Sequence, residues 1–239
     1  MNIKKQYYRF LYHITKSTKY RHLYKQDFGI NNKIYIIENG IKQEYPAYYD
    51  LKNINIHWNG NNNNFTIAMP NSIKNMDIYI NGSNNNIIIG ENARGSFNIR
   101  LYYDNNYVNS GNRVEALYLC IMLHSDSLTI GNNCMFSNLI NILTDGHSVI
   151  DDKTKELLNM PKHNITIGNH VWVCQGVTIL KNAKIADNSI VAHSALVTKP
   201  INETNVIIAG NPAKIVKRNI NWNHVSPLNY SSETTDFSF

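Results

Sequence analysis

The sequence contains no uninterrupted apolar run near the roughly 18 residues that a membrane-spanning helix needs, and its first residues lack the apolar core of a secretory signal. A cytosolic chain is the expectation. Cysteine is scarce: Cys120, Cys134 and Cys174 are odd in number and follow no C-x-x-C spacing, so neither a disulfide framework nor a cysteine zinc site is indicated. Charged residues make up only 17% of the chain, and most of it has no excess of either sign. The formal net charge is +6, but residues 1–29 hold seven basic side chains (Lys4, Lys5, Arg9, Lys16, Lys19, Arg21 and Lys25) against one acidic, Asp27. The other 210 residues carry 16 of each sign, which disfavours a generally basic nucleic-acid-binding domain. A length of 239 residues is enough for one substantial domain.

Asparagine, at 39 residues, and isoleucine, at 32, are what the chain has in excess. Their placement is periodic. Every sixth residue from 167 is a β-branched aliphatic: Ile167, Val173, Ile179, Ile185, Val191 and Val197. A helix of period 3.6 cannot hold positions six apart on one face, and a flat strand of that length would be broken by the small and polar residues between them. A short strand, a bend and another short strand satisfy the spacing, with one aliphatic pointing inward on each side. Three such sides close a triangular coil, and stacked coils bury a column of Ile and Val, each contributing roughly 1.5–3 kcal/mol. Asn169, Asn182 and Asn188 fall where corners are expected, and asparagine tolerates left-handed backbone better than other residues with a side chain.

An earlier block, Ile130-Gly131-Asn132-Asn133 with Phe136 and Ile142, continues the period. Between Ile142 and Ile165 the repeat stops, and the stretch 148–164 reads as a loop thrown out of the coils, a length that is usually functional. Upstream, Ile54–Ile56, Phe65–Ile67, Ile78–Ile80, Ile87–Ile89 and Phe97–Ile99 are short alternating strands between Asn-rich corners, read as irregular coils of the same stack. Ile3, Tyr7, Phe10, Leu11 and Ile14 make a helical stripe ringed by Lys and Arg, while Asn211-Pro212 opens 213–218 as a short helix. The chain thus divides into a basic amphipathic segment at 1–30, irregular coils at 31–127, regular coils with the loop at 128–210, and a C-terminal helix and tail at 211–239.

Ile167-Gly168-Asn169-His170-Val171-Trp172-Val173, Ala-Leu-Val-Thr-Lys at 195–199 and Ile-Ala-Gly-Asn-Pro-Ala-Lys at 208–214 resemble the hexapeptide-repeat acyltransferases, tightly over about 128–222 and weakly before. Within that family the chain is most similar to the bacterial saccharide O-acetyltransferases, including those acting on galactosides, lipopolysaccharide and capsular polysaccharide. The resemblance implies an all-β fold, a left-handed parallel β-helix. It further implies acetyl-CoA as donor, no metal, a saccharide acceptor, a homotrimer, and active sites between neighbouring stacks. Thr144-Asp145-Gly146-His147-Ser148 matches the catalytic-histidine segment, which makes His147 the expected general base. A sugar hydroxyl is a poor nucleophile at neutral pH, and a neutral imidazole can take its proton during attack on a thioester and pass it to the departing thiolate. A backbone carbonyl or Asp145 would hold the other ring nitrogen, and a backbone N–H near Trp172 would serve the oxyanion.

Trp172 matches the family's Trp, expected to shape the acceptor pocket and position the acyl group. Gln175, His193, Thr198, Lys199, Lys214 and Lys217 correspond to coenzyme contacts, with Lys214 and Lys217 three apart on the terminal helix as a phosphate clamp. The family's acceptor-binding Asn has no counterpart in Ala116–Cys120, so galactoside specificity does not carry over. His124 and Asp126, with Asp145, are the acceptor-side candidates.

Three competing classes share the fold. Carbonic anhydrases need a His pair at H-x-x-x-x-H, and no two histidines in this chain are five apart. A non-catalytic carbohydrate-binding scaffold would not require His147 together with the lysine set. An aminosugar N-acetyltransferase stands as the alternative within the enzymes. For the basic segment at 1–29 the partners that fit are a neighbouring subunit, an anionic glycan or the inner membrane surface.

Overall fold

A computed structural model describes residues 28–144, 146–160 and 163–232. The helical stripe expected near the N-terminus, and Asp145, lie outside these residues. Short strands stack into a parallel β-solenoid of the left-handed type with about seven turns, and the only helix among the described residues is a three-residue 3-10 turn at Pro227–Asn229.

The coil has three faces. The first runs in parallel register from Lys33–Glu38 through Asn64–Ala68, Asn86–Ile89, Tyr107–Ser110, Ser127–Ile130, Asn164–Ile167 and Lys184–Ile185 to Pro200–Ile201. The second carries Met135–Phe136, Trp172–Val173, Ile190–Val191 and Ile207–Ala209. The third carries Ile54–Asn59, Ile140–Leu143, Thr178–Leu180 and Leu196–Val197. In the upper coils single long strands, Ser72–Asn81, Arg94–Tyr102 and Glu115–His124, bend across the second and third faces with register shifts at Ile73/Asn75 and Gly95/Phe97.

The six-residue column is the core of the lower coils: Ile167, Val173, Ile179, Ile185, Val191 and Val197 are each at most 1% exposed. Asparagine fills the corners: among the described residues, twelve of the nineteen left-handed non-glycine residues are Asn, Asn182 and Asn188 among them. Asn169 does otherwise. His170 takes the left-handed conformation beside it, and the Asn169 side chain accepts the Asn132 N–H at 2.9 Å.

The upper coils are held by a buried ladder at the corner between third and first faces. The Asn63 N–H donates to Asn32 Oδ1, Asn85 to Asn63, Asn106 to Asn85 and Asp126 to Asn106, at 2.8–3.0 Å. All five side chains are at most 7% exposed. Each amide thereby meets a backbone donor that the pleat of a wider coil leaves without a sheet partner, which a buried polar group requires.

The C-terminal helix is corrected. Lys214–Lys217 is a strand, paired antiparallel with Ile207–Ala209. The last coil would otherwise expose a row of unpaired backbone groups, and the chain satisfies them by doubling back through Gly210, with Ile215 packing on the core. At the other end Ile41–Pro46 folds antiparallel onto Lys33–Glu38.

Candidate active site

Successive coils place Tyr102 beside His124 in register on the third face, and their rings stack at 4.8 Å and 10°. One coil further, Thr144 ties itself to that layer twice. Its N–H donates to Met122 O at 3.1 Å, and its Oγ1 accepts the His124 N–H at 3.0 Å. The first face then does not resume until Asn164: 37 residues separate Ser127 from Asn164, against 18 between Thr166 and Lys184.

The intervening residues form a small antiparallel turn of chain. Ile150 bridges Leu157, the Leu158 N–H donates to Val149 O at 2.7 Å, and Asp151 accepts the N–H groups of Thr154 and Lys153 at 2.8 Å each. Those two donors, Thr154 first, hold the Asp151 carboxyl below the usual carboxylate range. Asn159 fastens the turn to its start, donating from Nδ2 to His147 O at 2.7 Å and accepting the Val149 N–H at 2.7 Å. The chain rejoins the stack at His163, whose N–H donates to Asp126 Oδ1 at 2.6 Å, with Nδ1 3.3 Å from the same oxygen. Asp126 is thus the lowest rung of the buried ladder and the anchor of the returning chain.

A cleft of about 430 Å³ opens between this turn and the stack, lined by Tyr103, His124, Asp126, His147, Ser148 and Asn159, among others. The structure brings His147, His124 and Asp126 together. His147 is exposed, and its backbone is pinned through Asn159.

Trp172 lies elsewhere, on the second face, in a separate cleft of about 570 Å³ with Ile190, Trp222 and Tyr230. Trp222 covers that corner, stacking on His170 at 4.3 Å and donating its indole N–H to His170 O at 2.9 Å. The Trp172 indole N–H is buried without an acceptor among the described residues.

The coenzyme candidates divide as well. Gln175 and His193 occupy one corner a coil apart, where the Ser194 N–H donates to Gln175 O at 3.0 Å. Lys214, opposite Ala209, starts the reversed strand close to that corner. Thr198 and Lys199 end the third face at its other edge, the edge on which the His147 cleft opens, two coils below Thr144 and so about 10 Å away. Lys217 pairs with Ile207 at the far end, so an extended chain sets it about 10 Å from Lys214 and the helical clamp does not exist.

Tyr103, which lines the cleft, and Tyr102, stacked on His124, are not among the residues singled out from the sequence. Leu101-Tyr102-Tyr103-Asp104 carries no motif. The available signal is coil length: Tyr103 stands one coil after Gly82 and two after Gly60.

The three-sided parallel solenoid is the fold of the β-helical acetyltransferases to which the chain is similar. No protein-family model matches the chain. Over 160 residues it is 34% identical to a polysialic acid O-acetyltransferase of Neisseria meningitidis, covering 57% of this chain and 74% of that protein. It is 32% identical over 131 residues to the galactoside O-acetyltransferase of Escherichia coli K12, covering 54% of this chain and 62% of that relative's length. In structure it superposes on the polysialic-acid-specific acetyltransferase NeuO with a TM-score of 0.71 at 26% identity, covering 86% of this chain and 84% of that one. The chain belongs to the hexapeptide-repeat saccharide O-acetyltransferases.

Proposed function

We propose that the protein transfers an acetyl group from acetyl-CoA to a hydroxyl of a cell-surface saccharide, of capsule or lipopolysaccharide type, with His147 as general base. The observation that carries this reading is the placement of His147 at the mouth of a cleft large enough for a sugar ring, next to a second histidine and on a backbone fixed by Asn159. The relatives named above act on polysialic acid and on galactosides, which supports a saccharide acceptor.

The donor set suits acetyl-CoA. Lys199 and Lys214 are exposed cations at the two edges of the third face, and Gln175 and His193 offer polar groups beside Lys214, as a phosphate-bearing ligand requires. When bound, the thioester supplies an acyl group already activated for transfer. His147 removes the hydroxyl proton as the bond to the acyl carbon forms, then holds that proton for the departing sulfur. His124 and Asp126 border the space where the acceptor stands, and Asp145 adjoins the base in sequence.

The separation of His147 from Trp172 within one chain supports a homotrimer, in which the Trp172 face of one stack closes against the His147 cleft of the next. The unpartnered Trp172 N–H would then meet an oxygen of the bound substrate. The half-buried outward column Met122, Leu143 and Leu180 on the third face gives such an assembly apolar surface to bury. The protein is assigned to the cytoplasm, with residues 1–29 reaching a neighbouring subunit, an anionic glycan or the inner membrane surface.

The test follows free thiol release from acetyl-CoA across a panel of sugars and cell-surface glycans. Stimulation by a saccharide and its loss in His147→Ala are expected. Absence of stimulation by every saccharide, or full activity in His147→Ala, removes the reading.

A further inference from the structure

We propose that Tyr103 is the acceptor-binding platform of the cleft, taking a six-membered sugar ring by its C–H face, with His124 and Tyr102 stacked behind it. The proposal rests on reading the cleft as the acceptor side of an acetyltransferase.

The corner position that Tyr103 occupies is Gly60 and Gly82 in the two coils above, and their φ angles are 152° and 156°. At Tyr103 the φ is 66°, in the left-handed region that a bulky side chain rarely adopts. Eighteen other non-glycine residues among those described share that region, and twelve of them are Asn, which the chain uses freely at corners. An aromatic ring at this corner is therefore a departure from the stack's own habit, and strain of this kind collects at ligand sites.

The strained conformation is also held firmly. The Tyr103 N–H donates to Asn81 O at 2.8 Å, and Tyr103 O accepts Asn106 Nδ2 at 3.1 Å. Gly82 makes room for it, since a Cβ there would stand 2.0 Å from Tyr103 O.

No packing demand explains the ring. It is 64% exposed, yet it lines the cleft and lies 6.1 Å from His124, which is stacked on Tyr102. The result is a tyrosine that lines the same cleft as His147, with the stacked His124–Tyr102 pair beside it. An aromatic face of this kind complements the apolar C–H face of a pyranose, and Ser125 and Ser148 border the same space with hydroxyls for the ring's polar edge.

The test compares wild type, Tyr103→Gly and Tyr103→Phe. Tyr103→Gly restores the residue found in the two upper coils, so its Tm should stay within about 3 °C of wild type. Binding of the methyl pyranosides of glucose, galactose, N-acetylglucosamine and sialic acid is read by saturation-transfer NMR in a His147→Ala background, which separates binding from chemistry. At least one should bind wild type through its ring C–H protons, weaken about tenfold in Tyr103→Gly and hold within about threefold in Tyr103→Phe. In turnover, the acceptor KM should rise about tenfold in Tyr103→Gly with the acetyl-CoA KM unchanged.

Equal binding by Tyr103→Gly, failure of every pyranoside to bind, or a rise in the acetyl-CoA KM in place of the acceptor KM overturns the platform. Pyranoside binding through Tyr103 without any saccharide-stimulated thiol release removes the acetyltransfer reading and leaves the platform. Saccharide-stimulated release indifferent to Tyr103→Gly does the reverse.

Discussion

The upper coils, from Lys33 to Ile130, and the lower coils, from Asn164 to Ala209, have the same three faces but close them by different means. Below, coils take 16 to 18 residues and every sixth residue from Ile167 to Val197 is a buried aliphatic, so the hydrophobic column does the holding. Above, the first coil takes 31 residues and those from Asn64 on take 20 to 22, the bends carry bulges, and the extra backbone is satisfied by the buried chain of Asn side chains. Regular packing gives a uniform prism; irregular coils, stitched by hydrogen bonds, can turn a Tyr103 or a His124 outward where the prism would have no room. The cleft lies at the junction, taking His147 from the excursion and Tyr103 and His124 from the upper coils.

The sharpest way to break this division is at His147. His147→Ala should lower kcat by about 10²–10⁴-fold with an unchanged melting temperature, because the side chain is exposed and holds no coil together. Stopped-time thiol release alongside thermal melting checks both halves of the statement.

The stitching itself comes next. Asn85→Ala removes the acceptor of the Asn106 N–H in a fully buried setting and should cost roughly 1–3 kcal/mol in a denaturant titration. Asn169→Ala removes the side-chain acceptor of the Asn132 N–H on the exposed ladder of the lower coils, where water replaces it, and should stay within about 0.5 kcal/mol. Equal losses would erase the distinction between the two halves.

A smaller contrast lies in the thiols. Burial pushes the Cys134 thiol up to about 12 from 9.0, so the folded protein keeps its proton while the unfolded chain loses it. Stability from this group is intact below pH 9 and falls by about 1.4 kcal/mol per pH unit as pH rises toward 12. Cys134→Ala should flatten that fall when melting is compared between pH 8 and pH 10. The last and smallest effect is on the donor: Lys199→Ala and Lys214→Ala should each raise the acetyl-CoA KM about 3–10-fold, and Lys217→Ala less, since its strand carries it away from the other two.

The lower half was legible from sequence because its rule is local and repeats: one aliphatic every six residues, and all six members of the column are buried. His147 was singled out by the resemblance of Thr144–Ser148 to the family's histidine segment, and the structure sets it on the lining of the cleft where the repeat stops. The 213–218 segment read as a helix for an equally local reason, a Pro at the first turn followed by helix-tolerant residues. The exposed edge of the last coil outweighed that preference and drew 214–217 into a strand. Tyr103 was invisible because its meaning depends on Gly60 and Gly82, residues about 43 and 21 positions away that come into line only once the coil length is known.

The Asn ladder has a further consequence for how such a protein can change length. Each rung presents the same acceptor, a side-chain oxygen, to the same donor, the backbone N–H one coil below, from Asn32 down to Asp126 and His163. Any two rungs are therefore interchangeable as neighbours. A deletion or duplication of one whole coil rejoins the ladder without an orphaned amide, whereas a change of a few residues cannot. The upper stack behaves as a column of standard couplings, and the reach of the surface above the cleft can lengthen or shorten in coil-sized steps while His147 and Asp126 stay where they are.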